Sequence, residues 1–149
     1  VNNSVSLTAD TTLTVDAHAG KILLCNDADG KFTLPSIVST TPSDPTDPNQ
    51  TNNIGATFHF YIETAATDLD IKTDGTDKFK GAILIAVDDG AKKAFVPAAS
   101  NDVITMNGST KGGIVGSIVS FTAIDTATYL VNSSLLIGSG TIVTPYADA

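Results

Sequence analysis

Arginine and tryptophan are missing from this chain, cysteine and glutamate occur once each, and histidine only twice, in 149 residues. The single Cys25 leaves no internal disulfide framework and no Cys/His cluster for a structural zinc. Eight scattered lysines face fifteen aspartates and one glutamate, a net charge of −8. Counterion release on nucleic acid needs clustered cations, so nucleic-acid binding is set aside. No apolar run approaches the roughly 20 residues of a membrane-spanning helix. The opening VNNSVSLTAD carries neither the charged nor the apolar block of a signal peptide. A soluble chain without membrane contact is expected, its valine start reflecting loss of an initiator methionine or other processing.

Helical periodicity is also scarce. What recurs is short alternating segments rich in Val, Ile, Thr and Phe, punctuated by Gly, Asn, Asp and Pro. In ATFHFYIET, Phe58, Phe60 and Ile62 fall on one face and Thr57, His59, Tyr61 and Glu63 on the other, as a half-buried strand requires. AILIAV is apolar on both faces, which suits a central strand or one covered by a partner subunit. Further strands are expected near VSLT, TTLTVD, KILLC, KFTL, LDIKT, KKAFV, DVITM, SIVSFTAI, TYLV and TIVTP. The expected fold is all-β, a single antiparallel sandwich of jelly-roll type over residues 1–149. No repeat at solenoid or propeller period is detectable.

One segment departs from this rhythm. From Ser36 to Asn53, Pro42, Pro45 and Pro48 recur every third residue, which in a polyproline II helix stacks them along one edge with Asp44 and Asp47 along another. This reads as a polar arm that straps over a neighbouring subunit, or as a plain surface loop.

Four Asx-Gly pairs, Asp29-Gly30, Asp74-Gly75, Asp89-Gly90 and Asn107-Gly108, sit beside alternating apolar residues. NDADGK at 26–31 looks at first like a calcium loop. Aligning Gly30 with the required glycine of an EF-hand puts Cys25 first and Ser36 last, and neither serves there. The same alignment puts Lys72 and Gly81, or Ile85 and Val87, at ligand positions of the next two pairs. All four therefore read as hairpin turns, because both residues of the pair accept positive φ; an irregular cation site is the alternative at NDADGK.

Catalytic constellations are weak. A Cys25–His59–Asp arrangement can be drawn for any chain with these residues, and Cys25 reads better as a small apolar core residue, His59 as part of a solvated or interface-facing strand surface. Asp27 with Asp29, or Asp88 with Asp89, could serve sugar hydrolysis, but glycosidase sites combine carboxylates from different strands with aromatic platforms. KGGIVGS and IGSGT lack the lysine and spacing of a phosphate loop. No enzyme, metal or cofactor is expected.

Taken in order, GKILLCNDADGKFTLP, GATFHFYIETA, TDGTDKFKG and SNDVITMNGSTKGGIVGSIVSFTAIDTATYLVNSSLLIGSG resemble small virion structural proteins of tailed bacteriophages, above all capsid decoration or cement proteins. The resemblance implies a β domain without an active site that forms a homotrimer and clamps the seams between major capsid proteins on the outer surface of the head. Contacts are then expected from the arm, at Pro42, Asp44, Pro45, Asp47 and Pro48, and from the terminal segments, at Val1, Val5, Pro145 and Tyr146. The alternative is a tail, fibre or baseplate domain that binds a receptor or glycan, with Tyr61, Tyr129 and Tyr146 as platforms.

Overall fold

The computed structural model describes residues 3–38 and 52–149. Thirteen strands and one helical turn form a two-sheet sandwich, the all-β architecture expected. The larger sheet takes β1 (Ser4–Leu7), β3 (Ile22–Cys25), β5 (Thr57–Ile62), β7 (Lys78–Lys80), β8 (Ile83–Ala86), β9 (Lys92–Phe95), β11 (Ile118–Ala123) and β12 (Thr128–Ile137). Its order is β1-β3-β5-β11-β12-β8-β9, with β7 also paired to β12. The smaller sheet runs β13 (Tyr146–Ala147), β10 (Val103–Met106), β6 (Leu69–Lys72), β4 (Lys31–Thr33), β2 (Thr11–Thr12).

The antiparallel expectation is corrected. Among the described residues five strand pairs are antiparallel, but six are parallel, a mixture that two Greek keys do not produce. The cause lies in the route of the chain. From β1 to β7 it alternates between sheets at every step, so β1, β3 and β5 stack in parallel on one side while β2, β4 and β6 do so on the other. This is a coil. Ser4 lies beside Ile22, eighteen positions on, and Thr11 beside Phe32, twenty-one on. Ile22 then pairs with His59, thirty-seven on, because the segment 36–53 is inserted in that turn. The geometry repeats although the residues do not.

Three of the Asx-Gly corners lie at such crossings. Only Asp89-Gly90 closes a hairpin, between β8 and β9, with Gly90 at φ 84° and Val87 N–H donating to the Ala91 carbonyl at 2.9 Å. The other three carry the chain from one sheet to the other. At NDADGK the Gly30 N–H donates to the Asp27 carbonyl at 3.1 Å, and glycine is required there for room rather than for positive φ, since a Cβ would lie 2.8 Å from the Phe32 ring. An Asx-Gly pair reverses the chain locally; which sheet the next segment joins depends on where its apolar side chains find the interior.

Local departures have identifiable causes. TTLTVD is strand only at Thr11–Thr12, because the Thr14 hydroxyl accepts from the Ala17 N–H at 3.3 Å and caps a single helical turn, α1 (Val15–His18). TIVTP is not a strand; pairing resumes at Tyr146. β12 carries a bulge, since one residue of β11 between Ile118 and Ser120 faces two of β12 between Asn132 and Leu135, and Ser133 takes φ 45°.

Between the sheets runs a file of aromatic rings. Phe32 of the small sheet stacks on Phe60 of the large one, followed by Phe121, Phe79 and Tyr146, with centroids 6.4, 5.6, 5.1 and 6.4 Å apart. Phe32, Phe79 and Phe121 are fully enclosed. Truncating the middle ring, Phe121→Ala, is expected to lower the unfolding free energy by roughly 3–5 kcal/mol, measured by urea denaturation. Tyr146→Phe, which removes only the hydrogen bond from its hydroxyl to the Gly81 carbonyl (2.8 Å), is expected to cost about 1 kcal/mol.

Candidate interaction surface

The two outer faces of the sandwich differ in kind. On the small sheet, outward positions carry Lys31, Asp70 and Lys72, with Lys31 paired to Asp70 at 3.2 Å and to Asp68 at 3.3 Å. That is an ordinary solvated face. On the large sheet, the outward positions of β1, β3, β5, β11, β12 and β8 include no Asp, Glu or Lys. Lysines enter only at the margin, on β7 and β9.

Register places an apolar row across this face. Leu24 lies beside Tyr61, Tyr61 beside Ile118, Ile118 beside Leu135, and Leu135 beside Leu84. Within the row Ile118 is 41% and Leu135 44% exposed, and Ile22, 52% exposed, stands one row over beside His59. Beyond Ile22 that next row is polar but uncharged, and several of its groups bond one another. His59 Nδ1 and the Ser120 hydroxyl are 2.8 Å apart, the Thr57 and Thr122 hydroxyls 3.1 Å apart, and the Asn132 amide donates to the Thr122 hydroxyl at 3.0 Å. These mutual bonds lower the penalty for covering a polar row. Charge depletion with satisfied polar groups is the composition of an interface centre.

The structure places the residues singled out from sequence as follows. Val1, Pro42, Asp44, Pro45, Asp47 and Pro48 lie outside the described residues. Val5 is half-buried on the inner side of β1, packed against the core. Pro145 and Tyr146 are buried. At these two positions the expected contact with a partner gives way to contacts within the chain: Tyr146 closes the aromatic file and pairs through β13 with β10. Tyr129 is likewise enclosed, its hydroxyl donating to the Pro35 carbonyl at 2.6 Å, so of the three tyrosines only Tyr61 reaches the surface. The sequence reasoning missed the apolar row; its only trace there is the two-sided apolar segment AILIAV.

The root of the proline-bearing segment is closed. Asn53 accepts from the Val38 N–H (2.7 Å), donates its amide to the Ser36 carbonyl (2.8 Å), and donates its own N–H to the Val38 carbonyl (3.0 Å). Beside it the Ile37 N–H donates to Asp77 at 3.1 Å. Burial, with Asp74 nearby, pushes the Asp77 carboxyl above its ordinary range despite that bond.

The titratable groups considered for chemistry are dispersed. Cys25 is fully buried and His59 is exposed on the outer face, on opposite sides of the large sheet. Asp27 and Asp29 share a hydrogen bond at a surface corner, which raises the Asp27 carboxyl; Asp88 and Asp89 sit on the exposed β8–β9 hairpin. Among the described residues no group of three or more His, Cys, Asp or Glu side chains could hold a metal ion. One half-buried ion pair does stand out. Lys78 Nζ donates to Asp102 at 2.8 Å, and the other carboxylate oxygen of Asp102 accepts from the Ala149 N–H at 2.8 Å, tying β7 and the last residue to β10. Burial alone would raise the Asp102 carboxyl, but the Lys78 and Ala149 bonds outweigh it and hold the group below its ordinary range.

No family model, curated protein or solved structure matches the chain.

Two outcomes follow from these environments. Burial pushes the Cys25 thiol up to about 12, so it should resist a disulfide reagent at pH 8 in the native protein and react stoichiometrically once unfolded in guanidinium, read by absorbance. A depressed folded-state value means that Asp102 contributes stability above the unfolded carboxylate range near pH 4 and loses it as pH falls through the folded value. Asp102→Asn should therefore cost roughly 1.5–3 kcal/mol at pH 7, and its gap from the parent should narrow at pH 2–3 in paired urea titrations.

Proposed function

We propose that the protein is a non-enzymatic structural component of a tailed-bacteriophage virion, a decoration protein that binds between major capsid proteins and stabilises the assembled head. The observation that supports the reading is the uncharged outer face of the large sheet, where polar side chains bond one another and an apolar row is left to water in the isolated chain, a surface suited to contact with another chain of an assembly. Such a surface gains free energy by being covered, at roughly 25 cal/mol per Å² of apolar area removed from water. The order of the quoted segments, similar to that of small virion proteins, supports the same reading. Stabilisation would arise by mass action, since a protein that binds the assembled shell and not its dissociated subunits shifts the equilibrium toward the shell.

Location in the intact particle tests this directly. Cryo-electron microscopy of virions should find copies at threefold or quasi-threefold positions on the outer surface of the head. Confinement of the chain to the tail would overturn the decoration reading and select the fibre or baseplate alternative, for which Tyr61, at the edge of a groove beside His59, is the remaining aromatic platform.

A further inference from the structure

The apolar row is not flat. Ile118 and Leu135 face each other across the β11–β12 ladder and form a ridge. On one side of it lies a groove lined by Ile22, His59, Tyr61 and Ile118, opened by the bulge at Ser133; on the other lies a groove lined by Leu135, Ile137, Ala86, Val87 and Ile114, with Asp88 also lining it.

We infer that this face is occupied by a second copy of the same chain, the Ile118–Leu135 ridge of each copy seated in an apolar groove of the other. Three observations favour a copy over an unrelated partner. A ridge flanked by grooves matches itself: turned over about a twofold axis, the face both inserts and receives, as an isologous contact requires. Charge points the same way. Copies of a chain with net charge −8 repel through most of their surfaces, and the outward positions of the strands that build this face carry neither acid nor lysine, so here the acids that two copies bring together reduce to Asp88 at one groove. Size agrees as well. With strands ~4.8 Å apart and residues ~3.3 Å apart, the apolar row and the uncharged row beside it cover roughly 350 Å² in projection from β3 to β8, an uncharged centre for an interface that hides about 800 Å² on each partner with its rim. A short peptide would leave most of it wet.

The contact also accounts for AILIAV. Ile83 and Ile85 point into the core, while Leu84 stands on the outer row where the copy would lie. In its biological role the inference rests on the virion reading, because it names the surface through which copies of an assembly protein meet. The contact itself is measured without any capsid, so a failure here leaves the head location to be decided separately.

The test is sedimentation velocity with light scattering on the purified chain across about 1–100 µM. The parent is expected at twice its 15.3 kDa mass; a homotrimer, the state that the resemblance implies, would overturn the twofold contact. Ile118→Lys and Leu135→Lys, each at a position already exposed in the single chain, should weaken association by more than about tenfold. Val96→Lys and Val143→Lys, at exposed apolar sites outside the row, should leave it unchanged; circular dichroism melts establish that all four variants fold. A parent that stays monomeric throughout the range overturns the inference, as does an oligomer that persists in both lysine variants on the ridge or is broken only by the Val96 or Val143 changes.

Discussion

The file of rings from Phe32 to Tyr146 is the constraint on which the rest of the molecule depends. A chain that crosses between sheets at nearly every step gains few local hairpin contacts, and long-range packing must hold successive turns in register. Phe32 and Phe60 couple the sheets at one end, Phe79 and Tyr146 at the other, with Phe121 between them. The last strand is thereby tied to the middle of the chain. Gly81 takes part in the same fastening: its carbonyl receives the Tyr146 hydroxyl, and at φ 104° it lies so close to the Val131 backbone that a side chain would collide with it.

Sequence pattern and structure agree where burial alone decides. Phe58, Phe60 and Ile62 face inward and His59 outward because a period of two assigns faces to a strand whatever its neighbours are. Cys25 is a core residue for the same reason. Pairing direction was not legible, since alternation specifies a face and says nothing of whether the adjacent strand runs with or against it. The short KFK of β7 gave too little pattern to register, and Tyr146 read as part of a loose end because its partners, Phe79 and Gly81, lie more than sixty positions away in sequence.

The outer face of the large sheet was hidden for a related reason. Leu24, Tyr61, Ile118 and Leu135 stand in four separate segments, each next to an inward-facing apolar residue in sequence. Only the ladders β3–β5, β5–β11 and β11–β12 bring them alongside one another. Against the lysine–aspartate pairs of the opposite face, the contrast gives the sandwich a wet side and a side suited to a dry contact, a polarity that no composition average reveals.

The closed root at Asn53 has a consequence for how such a chain can change. Because one asparagine fastens Ser36 and Val38 on the outgoing leg to its own backbone on the returning one, the spacing that aligns β4 and β5 with their neighbours is fixed below the joint. Lengthening, shortening or exchanging what lies beyond it does not disturb the winding of the coil. The position is a ready splice point, where descendants of this fold can trade one appendage for another, or an engineer can graft a foreign epitope, while the scaffold stays the same.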